Sequence, residues 1–347
     1  MRHVLLTGYP TFTARYLLEG IVRNEPETVL HCVVTQNLME RARDHAASLG
    51  AGARVRLLPG DVCALDLGLT GKDYLTICRK VTAVYHLAAV WDTAADRSRL
   101  HRVNVRGTEN VALCARDITH LERFNHMSTA FVAGDRVGVI MEEEFDEGQN
   151  HRNPYEASQF EAEKTVRRLM ASHPVTIFRP SLIVGHSTTG QIDRATGPYA
   201  LIRPLVNLPR NVPMPMPGRG EAPLNMVPVD YVAGAIRAIS QDPAAVGRTF
   251  HLVDPNPVSG RRVFELVAMA AGRPLPRGHV PEGLTRLITH LPGIEKALQT
   301  GLQVFDDFNS WAVFNSLNTA ELTRQGPWCP SFPGIVEPMV EHLRESS

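Results

Sequence analysis

A repeated alternation of short apolar runs with helix-spaced segments constrains this chain more than any other feature. His3-Val4-Leu5-Leu6-Thr7 reads as a buried strand that meets a turn at Gly8, and residues 12–23 then carry apolar side chains at helical spacing. The cycle returns with a strand at 29–34 and a helix at 38–49, a strand at 54–58, and a strand at 83–87 followed by a helix at 100–115. A strand at 124–127, a helix at 154–171 and a strand at 175–178 complete about six strands. Strands that alternate with helices and are apolar along their whole length predict an α/β fold, a doubly wound parallel sheet of the Rossmann type covered on both faces.

Past Pro180 the rhythm changes. Gly, Pro and Thr dominate to about Pro228, and prolines crowd between Pro198 and Pro228, which marks loop and not helix. Short elements follow at 230–240, 249–253, 262–271 and 298–311. The division expected is a dinucleotide-binding domain over 1–185 and a smaller, mixed substrate lobe over 186–347, with about 223–255 returning to the Rossmann core. Internal repeats and low-complexity tracts are absent from the sequence.

Composition limits the function. With 347 residues and 44% apolar content the chain can bury a substantial core. Lys+Arg and Asp+Glu both number 36, so the basic footprint of a nucleic-acid binder is missing. The five cysteines, Cys32, Cys63, Cys78, Cys114 and Cys329, are scattered and show no metal-ligand spacing, which is the pattern of a reducing compartment. The start MRHVLLTGYP offers an apolar run only from Val4 to Leu6, and no later stretch approaches the roughly 18 residues of a membrane span, so a cytoplasmic, soluble chain is expected. The acidic run Glu142-Glu143-Glu144-Phe145-Asp146-Glu147 reads as a solvated loop, with a lid over the site as the alternative.

Chemistry-bearing residues fall at the strand ends. The first strand-helix turn reads Thr7-Gly8-Tyr9-Pro10-Thr11-Phe12-Thr13-Ala14, where a dinucleotide fold uses glycines to let pyrophosphate approach a helix N-terminus. Gly60-Asp61-Val62 follows the third strand, Tyr85-His86-Leu87-Ala88-Ala89 closes the fourth, and Asn104 to Val111 lies in the next helix. Met127-Ser128-Thr129-Ala130 ends the fifth strand, and Tyr155-Glu156-Ala157-Ser158-Gln159 opens the long helix. Further along come Phe178-Arg179-Pro180-Ser181, Thr189-Gly190, Gly197-Pro198-Tyr199, Asn225 to Val232, Phe305-Asp306 and Cys329-Pro330-Ser331-Phe332.

This ordered set resembles the extended short-chain dehydrogenase/reductase superfamily, in the branch of fatty acyl-CoA reductases, male sterility proteins and thioester reductase domains. The resemblance runs the length of the chain. It implies an NADP- or NAD-dependent oxidoreductase acting on a small acyl thioester or aldehyde. It further implies that Gly8, Thr11, Phe12 and Thr13 face the pyrophosphate, Asp61 and Val62 the adenine, and Ala88 and Ala89 the ribose on the nicotinamide side, with Asn104 and Pro180 also at the cofactor. Tyr155 would exchange the substrate proton, Thr129 would hydrogen-bond the reacting oxygen, and a lysine four residues after the tyrosine would lower its pKa.

Three positions depart from that pattern. Gln159 stands where the lysine belongs, one helical turn from Tyr155, and carries no charge to favour a phenolate whose parent phenol has a pKa near ~10. Lys164 is nine residues from Tyr155 and points to another level. Thr11 replaces the second glycine of the fingerprint and sets a β-branched side chain where pyrophosphate should pass. After the second strand, Val34-Thr35-Gln36 offers neither an acid for a ribose hydroxyl nor an adjacent Arg for a 2′-phosphate, and Arg41 and Arg43 are expected to face solvent. Three outcomes stay open: a reductase in which Gln159 orients the ribose; a non-catalytic relative with weak or absent nicotinamide binding that serves a ligand or protein partner; and, ranked last because no Gly-x-Ser-x-Gly elbow lies near the right turn, a different chemistry such as hydrolysis or isomerisation of an acyl substrate.

The remaining candidates are expected to be structural. His86 and His126 end apolar strands as satisfied core histidines with no metal, Cys63 and Cys114 are small core residues, and Trp91 packs under a loop. Leu284, Leu287, Ile288, Leu291, Leu298, Leu302 and Phe305 form apolar stripes, read as lobe packing, with an acyl tunnel, a homodimer face or peripheral membrane contact as alternatives.

Overall fold

The computed structural model describes residues 1–91, 95–193, 197–207, 216–217, 219–276, 278–280 and 310–346. The apolar stripes between Leu284 and Phe305 lie outside the described residues, as does most of the element expected at 298–311.

Strands and helices alternate as β1 (Arg2–Thr7), α1 (Phe12–Asn24), β2 (Thr28–Val34), α2 (Met39–Ser48), β3 (Val55–Pro59), α3 (Gly71–Lys80) and β4 (Ala83–His86). Then come α4 (Arg97–Leu100), which runs through a π-helical turn (His101–Arg106) into α5 (Gly107–Asp117), β5 (Arg123–Met127), the short β6 (Gly138–Ile140), α6 (Pro154–Met170) and β7 (Val175–Pro180). The C-terminal part holds β8 (Leu182–Val184), α7 (Tyr199–Asn207), β9 (Met216–Pro217), β10 (Met226–Pro228), α8 (Val229–Gln241) and β11 (Thr249–Leu252). It ends with α9 (Gly260–Ala270), β12 (His279–Val280), β13 (Ala312–Phe314), α10 (Leu317–Leu322) and α11 (Phe332–Glu345).

The central sheet has seven strands in the order β11-β7-β5-β4-β1-β2-β3, all parallel. Alternation along β1 shows why both faces are covered. Val4 and Leu6 join Leu17, Leu18 and Ile21 of α1 and Val232, Ile236 and Ile239 of α8, while Leu5 joins Val111 and Ala115 of α5 and Val166 and Leu169 of α6 on the other face. A separate, smaller core gathers Ile202 and Leu205 of α7, Val263, Phe264 and Val267 of α9, and Ile335, Met339 and Val340 of α11. The fold is therefore the doubly wound α/β sheet with a C-terminal lobe that the alternation predicts. Chain order reverses between β1 and β4, and ligands of such sheets bind beyond the strand ends at that reversal.

Four expectations are corrected. The sheet has a seventh strand beyond the roughly six read before Pro180, because β11 pairs beside β7 with Thr249 opposite Ile177. Helix α3 has no apolar stripe in the sequence to announce it, since only Ile77 and Cys78 are buried on it; its start is fixed by Thr70, whose hydroxyl accepts the Asp73 N–H. The acidic run is a solvated loop only in part: Glu143, Asp146 and Glu147 are exposed, but Glu142 is buried and accepts the N–H groups of His251 and Asn318, and Phe145 stacks on Phe160 with centroids 4.4 Å apart. His126 is not satisfied: it is buried with both ring nitrogens unpartnered, whereas His86 bonds Thr7 at 2.7 Å and Thr108 at 2.9 Å as expected.

Burial pushes the His126 imidazole down to about 4, and that of His251 down to about 3 with the charge of Arg179 adding to burial. The unfolded chain takes up these protons from about pH 6.5, while the folded chain resists them until the lower values, so stability falls as the pH drops through that window. His126→Leu should remove about 1.4 kcal/mol per pH unit from the slope of stability between about pH 6.5 and 4, read from urea unfolding across a pH series.

Candidate functional site

The strand ends at the reversal are locked together by close backbone packing. Gly8 has φ +87°, and a Cβ there would lie 2.6 Å from the Ala88 nitrogen and 2.7 Å from the Leu87 carbonyl oxygen. Only glycine lets the turn after β1 touch the turn after β4. The Thr11 N–H donates to the Gly8 carbonyl at 2.9 Å, and Thr11 is the N-cap of α1, with no side-chain cap bond. The N–H groups of Phe12 and Thr13 thus open the helix without a side-chain acceptor, which suits an anion.

Beyond β3, the Asp61 N–H donates to Leu67 O at 2.8 Å and its carboxylate accepts the Cys63 N–H at 2.9 Å. Asp66 and Leu67 adopt φ of 50° and 57°, left-handed values that close this turn at some conformational cost. The Val62 carbonyl accepts the Asn110 amide at 2.8 Å, and the Val62 side chain packs where Gly107 has none. Of the two cysteines read as core, Cys114 is buried and Cys63 half-buried.

Asn104 sits in the π-helical turn and ties three segments. Its amide oxygen accepts the Val90 N–H at 2.7 Å, and its amide nitrogen donates to Val90 O at 3.2 Å and to the Ser158 hydroxyl at 2.9 Å. Ser158 in turn donates to the Tyr155 carbonyl at 2.7 Å, so the loop carrying Ala88 and Ala89 is fixed to the first turn of α6. Trp91 lies in that same loop, its ring centroid 6.3 Å from that of Tyr155. It packs against the candidate proton donor instead of serving only as cover for a loop.

Helix α6 starts where its sequence dictates. Asn153 caps it by accepting the Glu156 N–H at 2.9 Å, Glu156 reaches back to the Arg152 N–H at 2.9 Å, and Pro154 takes the first helical position. Tyr155, Gln159 and Glu163 then recur every four residues and are all buried, forming one stripe along the helix. Ser128, the neighbour of Thr129 at the end of β5, donates to Glu163 at 2.6 Å, and this bond holds the β5 end against the stripe that bears Tyr155. The Thr129 hydroxyl is loosely held, accepting from Phe131 N at 3.3 Å and donating to Pro180 O at 3.5 Å. Lys164 pairs with Asp146 at 3.6 Å at the surface and does not replace the missing lysine.

Gln159 is the most informative residue of the stripe. It is 2% exposed, and its Nε2 has no hydrogen-bond partner. A buried amide donor left unpaired costs about 1–3 kcal/mol, a cost that a bound acceptor relieves. A sugar hydroxyl of a dinucleotide lying along the strand ends is such an acceptor, and with the open first turn of α1 the residues present fit that group.

Four residues carry roles that the sequence does not show, three of them inside the quoted motifs and Glu163 outside them. Ser128, Ser158, Glu163 and Arg179 act through contacts between distant segments, and only the four-residue spacing of Tyr155, Gln159 and Glu163 was there to be read. Arg41 is exposed, as expected, and its guanidinium meets Asp193, which Arg15 also binds at 2.7 Å. Among the described residues no three metal-ligating side chains gather, and no helix is long and apolar enough to cross a membrane.

The seven-stranded parallel sheet covered by helices on both faces is a Rossmann-type α/β fold. The family model described as male sterility protein matches residues 6–236, and the chain belongs to that family, in the extended short-chain dehydrogenase/reductase superfamily. It is 29% identical to the aldehyde reductase lnaA of Aspergillus flavus, over 98% of this chain and 36% of that protein. It is 26% identical to the fatty acyl-CoA reductase wat of Drosophila melanogaster, over 54% of this chain and 41% of that one. The crystal structure of the terminal R domain from the myxalamid PKS-NRPS biosynthetic pathway superposes with a TM-score of 0.84 at 27% identity, covering 100% of this chain and 91% of that one. The chain spans about a third of the length of the first curated relatives it matches.

Gly8→Ala should destabilise the protein by about 1–3 kcal/mol or more, because a Cβ meets backbone at 2.6 Å in a left-handed conformation; thermal unfolding measures it.

Proposed function

We propose that the chain is a nicotinamide-dependent reductase that converts an acyl thioester or an aldehyde to the aldehyde or alcohol. The unpartnered, buried Gln159 amide beside Tyr155 is the observation that carries this reading. A bound nicotinamide dinucleotide, NADPH or NADH, supplies the hydride. The residues 1–185 form the unit that would hold it, with Phe12 and Thr13 N–H groups toward the pyrophosphate, Asp61 and Val62 toward the adenine, and Ala88, Ala89, Asn104 and Pro180 around the nicotinamide half. The lobe over 186–347, with 223–255 returning to the sheet, shapes the substrate side.

The proton balance falls to this chain's own side chains. The Tyr155 phenol donates its proton to the carbonyl oxygen as the carbon is reduced, and the Thr129 hydroxyl, free of strong partners, hydrogen-bonds that same oxygen. Gln159 is neutral, so it orients the ribose without stabilising a phenolate, and Tyr155 starts as the protonated phenol that reduction requires. A small, open cleft is lined by Phe131, Leu182, Leu224, Ala312 and Phe314 together with Asn225 and Ser310.

Tyr155→Phe should lower turnover of an aldehyde by roughly 10²–10⁴-fold while leaving dinucleotide binding and the unfolding temperature unchanged. Full turnover in that variant, assayed by loss of NADPH absorbance, would remove Tyr155 from the reaction. Gln159→Leu should leave the fold intact and weaken dinucleotide binding about tenfold, measured by calorimetry.

A further inference from the structure

We propose that Arg123 and Asn125 form a seat for a small oxyanion that keeps a proton at neutral pH, of the size of hydrogen phosphate. The seat lies at the N-terminal ends of the strands, away from the C-terminal ends that carry Gly8 and Thr129, and it does not depend on the dinucleotide reading.

Chain geometry puts the two side chains together. Arg123 opens β5 and Asn125 stands two residues on, so both project to one face with their Cα atoms about 7 Å apart. Met127 continues that row and packs in the core shared with α1 and α8, whereas Phe124 packs in the core of the other face, so the row lies on the α8 side of the sheet. Tyr85 of β4 is the register partner of Asn125, and its hydroxyl lies 2.6 Å from that of Ser240 near the end of α8. Arg2 of β1 precedes Val4 by two residues and faces the same side.

The polar groups gathered there are incomplete. Arg123 is 9% exposed and its Nη1 has no hydrogen-bond partner; Asn125 is 1% exposed and its Oδ1 has none either. The amide cannot turn to relieve this, because its Nδ2 donates to the Val84 carbonyl at 3.3 Å and a flip would set oxygen against oxygen. Glu25 is taken by Arg2, which it meets at 3.0 Å. Burial above all, and the charge of Arg2, weigh against the Arg123 cation, and Asp242 and Glu122 do not offset them. A buried donor, a buried acceptor and an unbalanced cation therefore ask three things of one ligand. Water accepts from Nη1 and donates to Oδ1 but brings no charge. Chloride brings charge but has no proton for Asn125. A protonated oxyanion does all three: one oxygen accepts from Arg123 Nη1, its O–H donates to Asn125 Oδ1, and its charge balances the guanidinium.

The test is thermal unfolding of the full chain at neutral pH in inorganic phosphate, sulfate or chloride at equal ionic strength. Salts act on every protein surface, so each shift is read against Arg123→Met in the same buffer. Phosphate should raise the wild-type unfolding temperature by roughly 2 °C or more beyond that reference, and sulfate, which has no proton to give, by less. Asn125→Asp sets a carboxylate beside the guanidinium; it should melt higher than the wild type in phosphate-free buffer and lose the phosphate response, and it serves as the reference should Arg123→Met not fold. No phosphate response in the wild type overturns the proposal and leaves the gap to an internal water. A response that persists in Asn125→Asp also overturns it, since phosphate then binds elsewhere, such as at the first turn of α1. So does an equal response of the wild type to sulfate, or an Asn125→Asp variant that melts no higher than the wild type.

Discussion

Glu163 has no exposure to water, yet it accepts hydrogen bonds from Ser128 at 2.6 Å, from Arg167 at 2.9 Å and from Arg179 at 2.6 and 3.0 Å. Burial disfavours its charge, but the two arginines and the serine outweigh that and hold the carboxylate down to about 2. Through these bonds one side chain of α6 fixes the ends of β5 and β7 together. Thr129 follows Ser128, Pro180 follows Arg179, and Tyr155 lies two turns back along the same buried stripe. Arg179 also donates to the Glu144 carbonyl at 2.9 Å, so the acidic strap is anchored to the same point. Removing one partner from such a buried cluster costs about 3–5 kcal/mol, and here the loss would loosen every segment around the proposed reacting carbonyl.

Much of this was legible before any coordinates. The unbroken apolar run Val4-Leu5-Leu6 and the helical spacing of Leu17, Leu18 and Ile21 point to a doubly wound sheet, and the run is buried on both faces. Gly8, Thr129, Tyr155 and Gln159 stood out because strand ends and helix starts are where such sheets place their chemistry. What stayed hidden depends on pairings between distant residues. Nothing local to Thr249 announces its place beside Ile177, nothing in Glu142 announces Asn318, and a serine before Thr129 gives no sign of a carboxylate 35 residues later. His126 escaped for the opposite reason: a histidine at a strand end is ordinarily paired, and this one has no partner.

The departures from the family pattern take on a physical meaning in this arrangement. A lysine at position 159 would place a charge in a position that is 2% exposed and one turn from the Glu163 carboxylate. Glutamine keeps a donor there without that charge, and its unpaired nitrogen marks the direction in which a ligand is expected. Thr11 likewise retains the backbone of the turn, with its N–H on Gly8 and no side-chain cap, leaving the next N–H groups open. Where the family pattern has a charge, this position offers a hydrogen-bond donor.

The most direct measurement is a crystal structure of the chain grown with NADPH. The account predicts the pyrophosphate on the Phe12 and Thr13 N–H groups and a ribose hydroxyl accepting from Gln159 Nε2. Crystals that grow at saturating dinucleotide and show no density across the α1 N-terminus, or show the dinucleotide elsewhere with Gln159 Nε2 still unpaired, would contradict it.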